Sequence, residues 1–346
     1  MAAYTDIDNP GVHYNHVKWS GNSGAQSITG VGFQPDLVWT FVRDGSDAKL
    51  MNDAVRGATK TIRSNATTTE YTGEMASFDS DGFTTSSHTG TEFNYSGNTY
   101  ISFCFKANGA GSSNSDGDDA HTVSANQTAG FSIVAGQSTV TSGNTAIGHG
   151  LGQTPDLIMA KNRDTAYNWD VWWRETGYAD TLKLNDATGT GRTGFGSGTN
   201  NSTVFSALYD YSASNGNKYA YYIFTSIKGY CKVGKYEGNG DDDGTFVNCG
   251  FKPKFLMTKC QDSGEHWNIP HFTLSSELNG VVKTVSPNLS AAERNMDDNP
   301  AIDFLSNGFK IRTSDNNYNK NQDEFTFLAI AENPFVTSTG VPATAR

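Results

Sequence analysis

One motif occurs three times along the chain, and no other feature limits the fold as strongly. It reads GFQPDLVW at Pro35, GQTPDLIM at Pro155 and GFKPKFLM at Pro253, with Gly32, Gly152 and Gly250 each three residues before the proline. The apolar trios that follow also correspond. Leu37, Val38 and Trp39 match Leu157, Ile158 and Met159, then Phe255, Leu256 and Met257, and nine residues past each proline stands Asp44, Asp164 or Asp262. Self-similarity over such a period marks a repeat architecture. The motif has a local physical sense. Glycine permits a positive φ in a tight turn, the residue before proline is driven to an extended conformation, and proline can begin a strand because its missing N–H is not needed there.

Further landmarks recur in the same order. A lead strand precedes each motif, in HVKWSGN (16–22), FSIVAGQ (131–137) and KVGKYEGNG (232–240). A return strand closes each unit, in YISFCFK (100–106), YAYYIFT (219–225) and EFTFLAI (324–330), rich in β-branched and aromatic residues and apolar on both alternating faces. The units therefore run 1–109, 110–228 and 229–346. Asn108 to Asp119 is rich in Gly, Ser, Asn and Asp and reads as a linker or long loop, which leaves the first unit freer than the other two. Helix signals are short and interrupted, so the fold class is all-β: three tandem jelly-roll or concanavalin-like β-sandwich repeats.

Charge narrows the partners. With 25 Lys and Arg against 36 Asp and Glu, the chain carries −11, and no basic block is present to track phosphates, so nucleic acid is not expected. No apolar run reaches membrane-spanning length, and the amino terminus lacks a signal peptide pattern, so neither membrane insertion nor signal-dependent export is expected. Cys104, Cys231, Cys249 and Cys260 are too scattered for a disulfide framework, and Cys104 within a strand pattern reads as a packing residue.

GVGFQPDLVW, RGATKTIRSN, FDSDGF and the closing FLAIAENPF resemble a repeat found in structural proteins of marine bacteriophages, cyanophages among them, often described as tail-associated or concanavalin-like. The resemblance covers essentially the whole chain. It implies a virion component built of jelly-roll-like sandwiches, assembled in the host cytoplasm, displayed on the virion exterior, and forming a homo-oligomer such as a trimer with other virion proteins as partners. The family's pattern assigns no catalytic set. No heptad or collagen-like shaft is present, which departs from a long tail fibre.

Candidate sites are few. In NWDVWW, Trp169 lies fourteen residues past Pro155, as Trp267 does past Pro253, so both read as core. Trp172 points to the opposite face from Trp169 and has two readings, packing against a neighbouring repeat or stacking on a sugar of the host surface. Tyr209 and Tyr211 carry a weaker version of the same choice. In NGDDDG, Asn239, Asp241 and Asp243 alternate before Gly244 like the start of an oxygen-rich calcium loop, although the closing glutamate is missing; a polar hairpin turn is the competing reading. No other cofactor is expected. Cys249, Cys260, His266 and His271 lack the paired spacing of a zinc site. A glycan hydrolase needs two facing carboxylates, whereas Asp323 and Glu324 are adjacent and point to opposite faces. The expectation is a non-catalytic phage structural protein of the tail-fibre or host-adhesion type that meets a host glycan or protein receptor. The alternatives are a capsid decoration or tail-structural protein, and a glycan-binding module or glycanase.

Overall fold

A computed structural model describes residues 4–87, 92–176, 180–191, 194–209, 211–271, 283–295 and 301–342. It is nearly all β, in several antiparallel sheets, with one four-residue α-helix at Asn316–Asn319 among the described residues. The return strands, Thr99–Phe105, Lys218–Phe224 and Glu324–Pro334, take the centre of each unit's main sheet because they are apolar on both faces. Each is flanked by its lead strand (Tyr14–Ser20, Phe131–Gln137 or Cys231–Glu237) and by its proline strand (Leu37–Val42, Leu157–Asn162 or Phe251–Cys260). The register repeats too. Phe105 sits opposite both Tyr14 and Leu37, Phe224 opposite Phe131 and Leu157, and Ile330 opposite Cys231 and Phe255.

A smaller sheet covers one face of each main sheet. In the first unit it comprises Ser27–Thr29, Gly82–Thr85 and Met75–Asp79, in the second Asn144–Gly148 and Val204–Leu208, and in the third Phe246–Asn248, Gly308–Ile311 and Ile302–Leu305. Between the layers lie Val38 and Cys104 in the first unit, and Ile158, Tyr221 and Ile223 in the second. The opposite face of every main sheet turns to one shared core. There Leu37, Trp39 and Phe103 meet Leu157, Met159 and Tyr222 of the second unit and Phe255 and Met257 of the third. Phe105 is the junction, its ring centroid 5.6 Å from that of Phe131, 5.9 Å from Phe224 and 5.6 Å from Phe255. Each such buried side chain contributes about 1.5–3 kcal/mol, and none of the three inner faces is covered without the other two units.

The seams between units are cyclic. Position +8 from the proline is Arg43, Arg163 or Gln261, and its carbonyl accepts from Glu293, Glu70 or Thr190 of another unit at 2.7, 2.9 and 2.7 Å. Two of these seams add a two-bonded ion pair, Arg163 to Glu70 at 2.8 and 3.0 Å and Arg43 to Glu293 at 2.8 and 3.2 Å. Position +14 crosses the same seams. Trp169 Nε1 donates to the Arg63 carbonyl (2.9 Å), Trp267 Nε1 to that of Lys183 (2.8 Å) and Lys49 Nζ to that of Ala291 (3.0 Å). The second unit thus grips the first, the third grips the second, and the first grips the third. The first unit is held on both sides rather than free. The expected linker is also incorporated: Ser112–Asn114 is an edge strand on His121–Asn126, and Gly117 bridges Ile147.

The aspartates at +9 hold each return strand at its start. Asp44 accepts from the Thr99 backbone N–H (2.9 Å), Asp164 from Lys218 (2.7 Å) and Asp262 from Glu324 (2.6 Å).

Candidate functional site

The strand Asp170–Trp173 has both faces covered, and this decides Trp172. It pairs with Ile158, belongs to the outer core of the second unit and is 3% exposed, so the reading as an open sugar-stacking surface is corrected to packing. Its neighbours Val171 and Trp173 face the shared core, where Trp173 lies 5.8 Å from Trp267. Trp169 and Trp267 are fully buried, as their spacing indicates. Tyr209 is half-buried, its N–H donating to the Gly143 carbonyl, while Tyr211 is 37% exposed in the loop before the second return strand. Two further tyrosines are exposed that the strand pattern does not single out: Tyr95, in the loop before the first return strand, and Tyr167, in the turn before Trp169. The recurrence of a tyrosine ahead of two return strands was the available signal.

The calcium reading of Asn239, Asp241 and Asp243 is corrected to a self-bonded turn. Asn239 Oδ1 accepts from the Asp241 N–H (3.0 Å), Asp241 Oδ1 from the Asp243 N–H (2.9 Å), and Asp243 Oδ1 pairs with Lys310 at 2.9 Å. From the far side, the Asn319 amide donates to Asn239 Oδ1 (2.8 Å) and to the Asp241 carbonyl (2.7 Å). Side-chain oxygens that cap their own turn, with one carboxylate beside an ammonium, are the pattern of the polar hairpin turn that competes with the calcium reading. Among the described residues no group of three or more His, Cys, Asp or Glu side chains is placed to hold a metal.

The nucleophilic side chains are built into the interior. All four cysteines are buried, and burial pushes the Cys249 thiol up to about 12 and those of Cys104 and Cys231 further. The Cys260 thiol and the Ser263 hydroxyl, 3.1 Å apart, both donate to Asp323, which also pairs with Lys320 at 3.1 Å.

Three lysines lie wholly inside the seams. Lys161 Nζ donates to the carbonyls of Asn162 (2.8 Å), Tyr167 (3.1 Å) and, across the seam, Thr67 (3.2 Å). Lys259 holds those of Cys260 and Ser263, and Lys49 those of Val42 and Ala291. Burial brings all three down to about 8. The carbonyls take the place of water around a cation that would otherwise be too costly to bury.

Of the concave surfaces outside this packing, one is a cleft of about 630 Å³ where the first unit meets the second, lined by residues that include His13, Lys106, Asn108, Ser113, Asn126 and Gln127. The Asn126 amide fixes its wall, bonded to His13 Nδ1 (3.1 Å) and the Lys106 carbonyl (3.1 Å) while its oxygen accepts from Ala129 (3.0 Å). Burial, then the charge of Lys106, holds His13 below its ordinary value and hence neutral at pH 7. Gln127 is anchored through its nitrogen to the Gly150 carbonyl (2.9 Å). Such a surface offers amides, hydroxyls and one cation to a ligand.

A family model described as a domain of unknown function, DUF7483, matches residues 9–334, a single match across all three units. No curated protein matches the chain.

Proposed function

Since the chain belongs to the DUF7483 family, whose description leaves its function open, we propose from the residues themselves that it is a non-catalytic structural protein of a bacteriophage, displayed on the virion exterior and engaged in host adhesion. The observation that carries this reading is the closed ring of three units. Its arginines, lysines and tryptophans at equivalent positions are spent on holding the units to one another. What the molecule offers outward is polar loops bearing Tyr95, Tyr167 and Tyr211 and a polar cleft, which suits contact with a surface. The resemblance of the repeated motifs to marine phage structural proteins supports the same reading.

The test is immunogold electron microscopy of intact particles with antibody raised against the chain. Label at the tail supports adhesion, and label absent from the particle overturns the virion reading. Label over the head instead supports capsid decoration. The three-fold character of the described units favours that second reading, because such a symmetry fits three-fold positions of a shell. A homotrimer is the oligomeric state that accompanies the adhesion reading, and light scattering that returns the mass of a single chain, 37.3 kDa, would remove it.

A further inference from the structure

At one ladder position the lead strands of the first and third units carry a lysine and that of the second an alanine. Lys18 stands opposite Ile101, Lys235 opposite Thr326 and Ala135 opposite Ala220. Two residues on, Ser20 is opposite Thr99, Glu237 opposite Glu324 and Gln137 opposite Lys218. In the third unit these two rows close on each other, because Lys235 Nζ lies 2.8 Å from Glu324 Oε1. In the second unit both partners are changed: Ala135 replaces the ammonium, and Lys218 stands where the third unit has the carboxylate. The space so left is a pocket of about 260 Å³ at the seam with the first unit, which closes it with Val55 and Arg56.

The lining side chains of the second unit share one face of its main sheet. Thr122 pairs with Ala135 and Gln137 with Lys218, and the Arg163 N–H donates to the Lys218 carbonyl (2.8 Å), so alternation turns all five to the side on which Ala220 and Tyr222 meet the shared core. Their polar atoms are unequally engaged. Arg163 gives Nε and Nη2 to Glu70, which leaves Nη1 on the other edge of the guanidinium. Gln137 donates its amide to the Gly216 carbonyl (2.8 Å) and keeps its oxygen. The Lys218 ammonium and the Thr122 hydroxyl have no hydrogen-bond or ion-pair partner among the described residues. Charge is left over as well. Asp53 and Glu70 are met by Arg56 and Arg163, and Asp164 spends an oxygen on the Lys218 backbone N–H (2.7 Å), so that no carboxylate lines the pocket and Lys218 is the surplus cation.

We propose that this pocket binds an oxyanion group, carried by its ligand as a carboxylate or a sulfate ester. The anion supplies the carboxylate that the third unit provides from Glu324: Lys218 Nζ and Arg163 Nη1 donate to its oxygens, the Thr122 hydroxyl adds a third bond, and the carbon skeleton of the ligand lies on Ala135 in the room that a lysine fills elsewhere. The inference stands on the comparison of the three units and does not depend on the adhesion reading.

The experiment is an NMR titration of the isotope-labelled full chain with acetate and, separately, with methyl sulfate, each exchanged for chloride at constant ionic strength. Saturable shifts of the Ala135 and Thr122 methyl signals are expected; acetate alone assigns the site to carboxylates, methyl sulfate alone to sulfate esters, and both to either carrier. Lys218→Gln, at an exposed side chain, should keep the melting temperature and weaken binding by about fivefold, the worth of one partly exposed charge pair. Ala135→Lys, which restores the side chain of the other two units, should abolish binding; if that variant does not fold, Lys218→Gln decides alone. Absence of saturation with both probes, an affinity unchanged by Lys218→Gln, or full binding by a folded Ala135→Lys chain would overturn the proposal.

Discussion

His16 stands where the other two units carry Ile133 and Val233, facing the ring of Phe103 at 6.1 Å. Burial first, then the positive charges of Lys254, His271 and Lys18, pushes it down to about 3. In the unfolded chain a histidine takes its proton near pH 6.5, so the unfolded state binds the proton first and stability is lost as pH falls from 6.5 toward 3. At pH 5 this amounts to about 2 kcal/mol. His16→Val should remove that loss, and urea unfolding at pH 7 and pH 5 with an unchanged acid slope in the variant would refute the assignment. Glu293 titrates in a lower window. Although burial acts to raise it, the bonds to His271 and Arg43 hold it down to about 2, against 4.5 ordinarily, so its contribution is present above pH 4.5 and is lost as pH falls toward 2. The tryptophan and tyrosine candidates separate in the same way. Trp172→Ala empties a packed layer and should cost about 3–5 kcal/mol, whereas Tyr211→Ala, at a residue 37% exposed, should cost clearly less in the same unfolding measurement.

Two neighbouring strands in each unit share one device with its parts exchanged. The second and third units pair Lys161 with Trp169 and Lys259 with Trp267 at positions +6 and +14, while the first has Phe41 at +6 and Lys49 at +14, the ammonium 5.8 Å from the phenyl centroid. Each unit therefore buries one cation and one aromatic ring at its seam, whichever strand supplies them. Phe41→Lys alone places a second ammonium beside Lys49 and should destabilise by about 3 kcal/mol or more. Phe41→Lys combined with Lys49→Trp restores the arrangement of the other units, and a double-mutant cycle should show favourable coupling of at least about 1 kcal/mol; additive losses would contradict the equivalence. The seams also differ in kind. Between the first and second units, Arg56, fully buried, pairs with Asp53 and Glu70 while Tyr222 donates to Asp53 (2.7 Å). Between the second and third, Gln261 and the Trp173–Trp267 contact stand, among the described residues, where the other seams have ion pairs. High salt should therefore weaken that seam least, but only modestly weaken the others, because buried pairs are poorly screened.

The molecule as a whole is a ring closed between units that are not adjacent in the chain, and the segment around Tyr4 and Asp8 packs on the third unit. Tyr4 donates to the Gly250 carbonyl (2.9 Å), and Asp8 accepts from the Ser338 N–H (2.7 Å). One shared core predicts one transition. Calorimetry should give a calorimetric enthalpy equal to the van't Hoff value for the full chain, and three separable transitions would refute the shared-core account. The sequence by itself determined the strand class, the three-fold repeat, the order of strands in each unit and the burial of Trp169 and Trp267, because these follow from local patterning and from comparing one repeat with another. It left Trp172 undecided, since alternation along a strand tells which residues share a face and not whether that face is covered. Only the tertiary structure decided that both faces of each main sheet are buried and that one side-chain oxygen of each of Asn239, Asp241 and Asp243 is engaged by a protein donor. The reason is physical: closing the ring brings together residues more than a hundred positions apart, such as Arg43 and Glu293, and no period within a unit records which neighbour will cover its inner face.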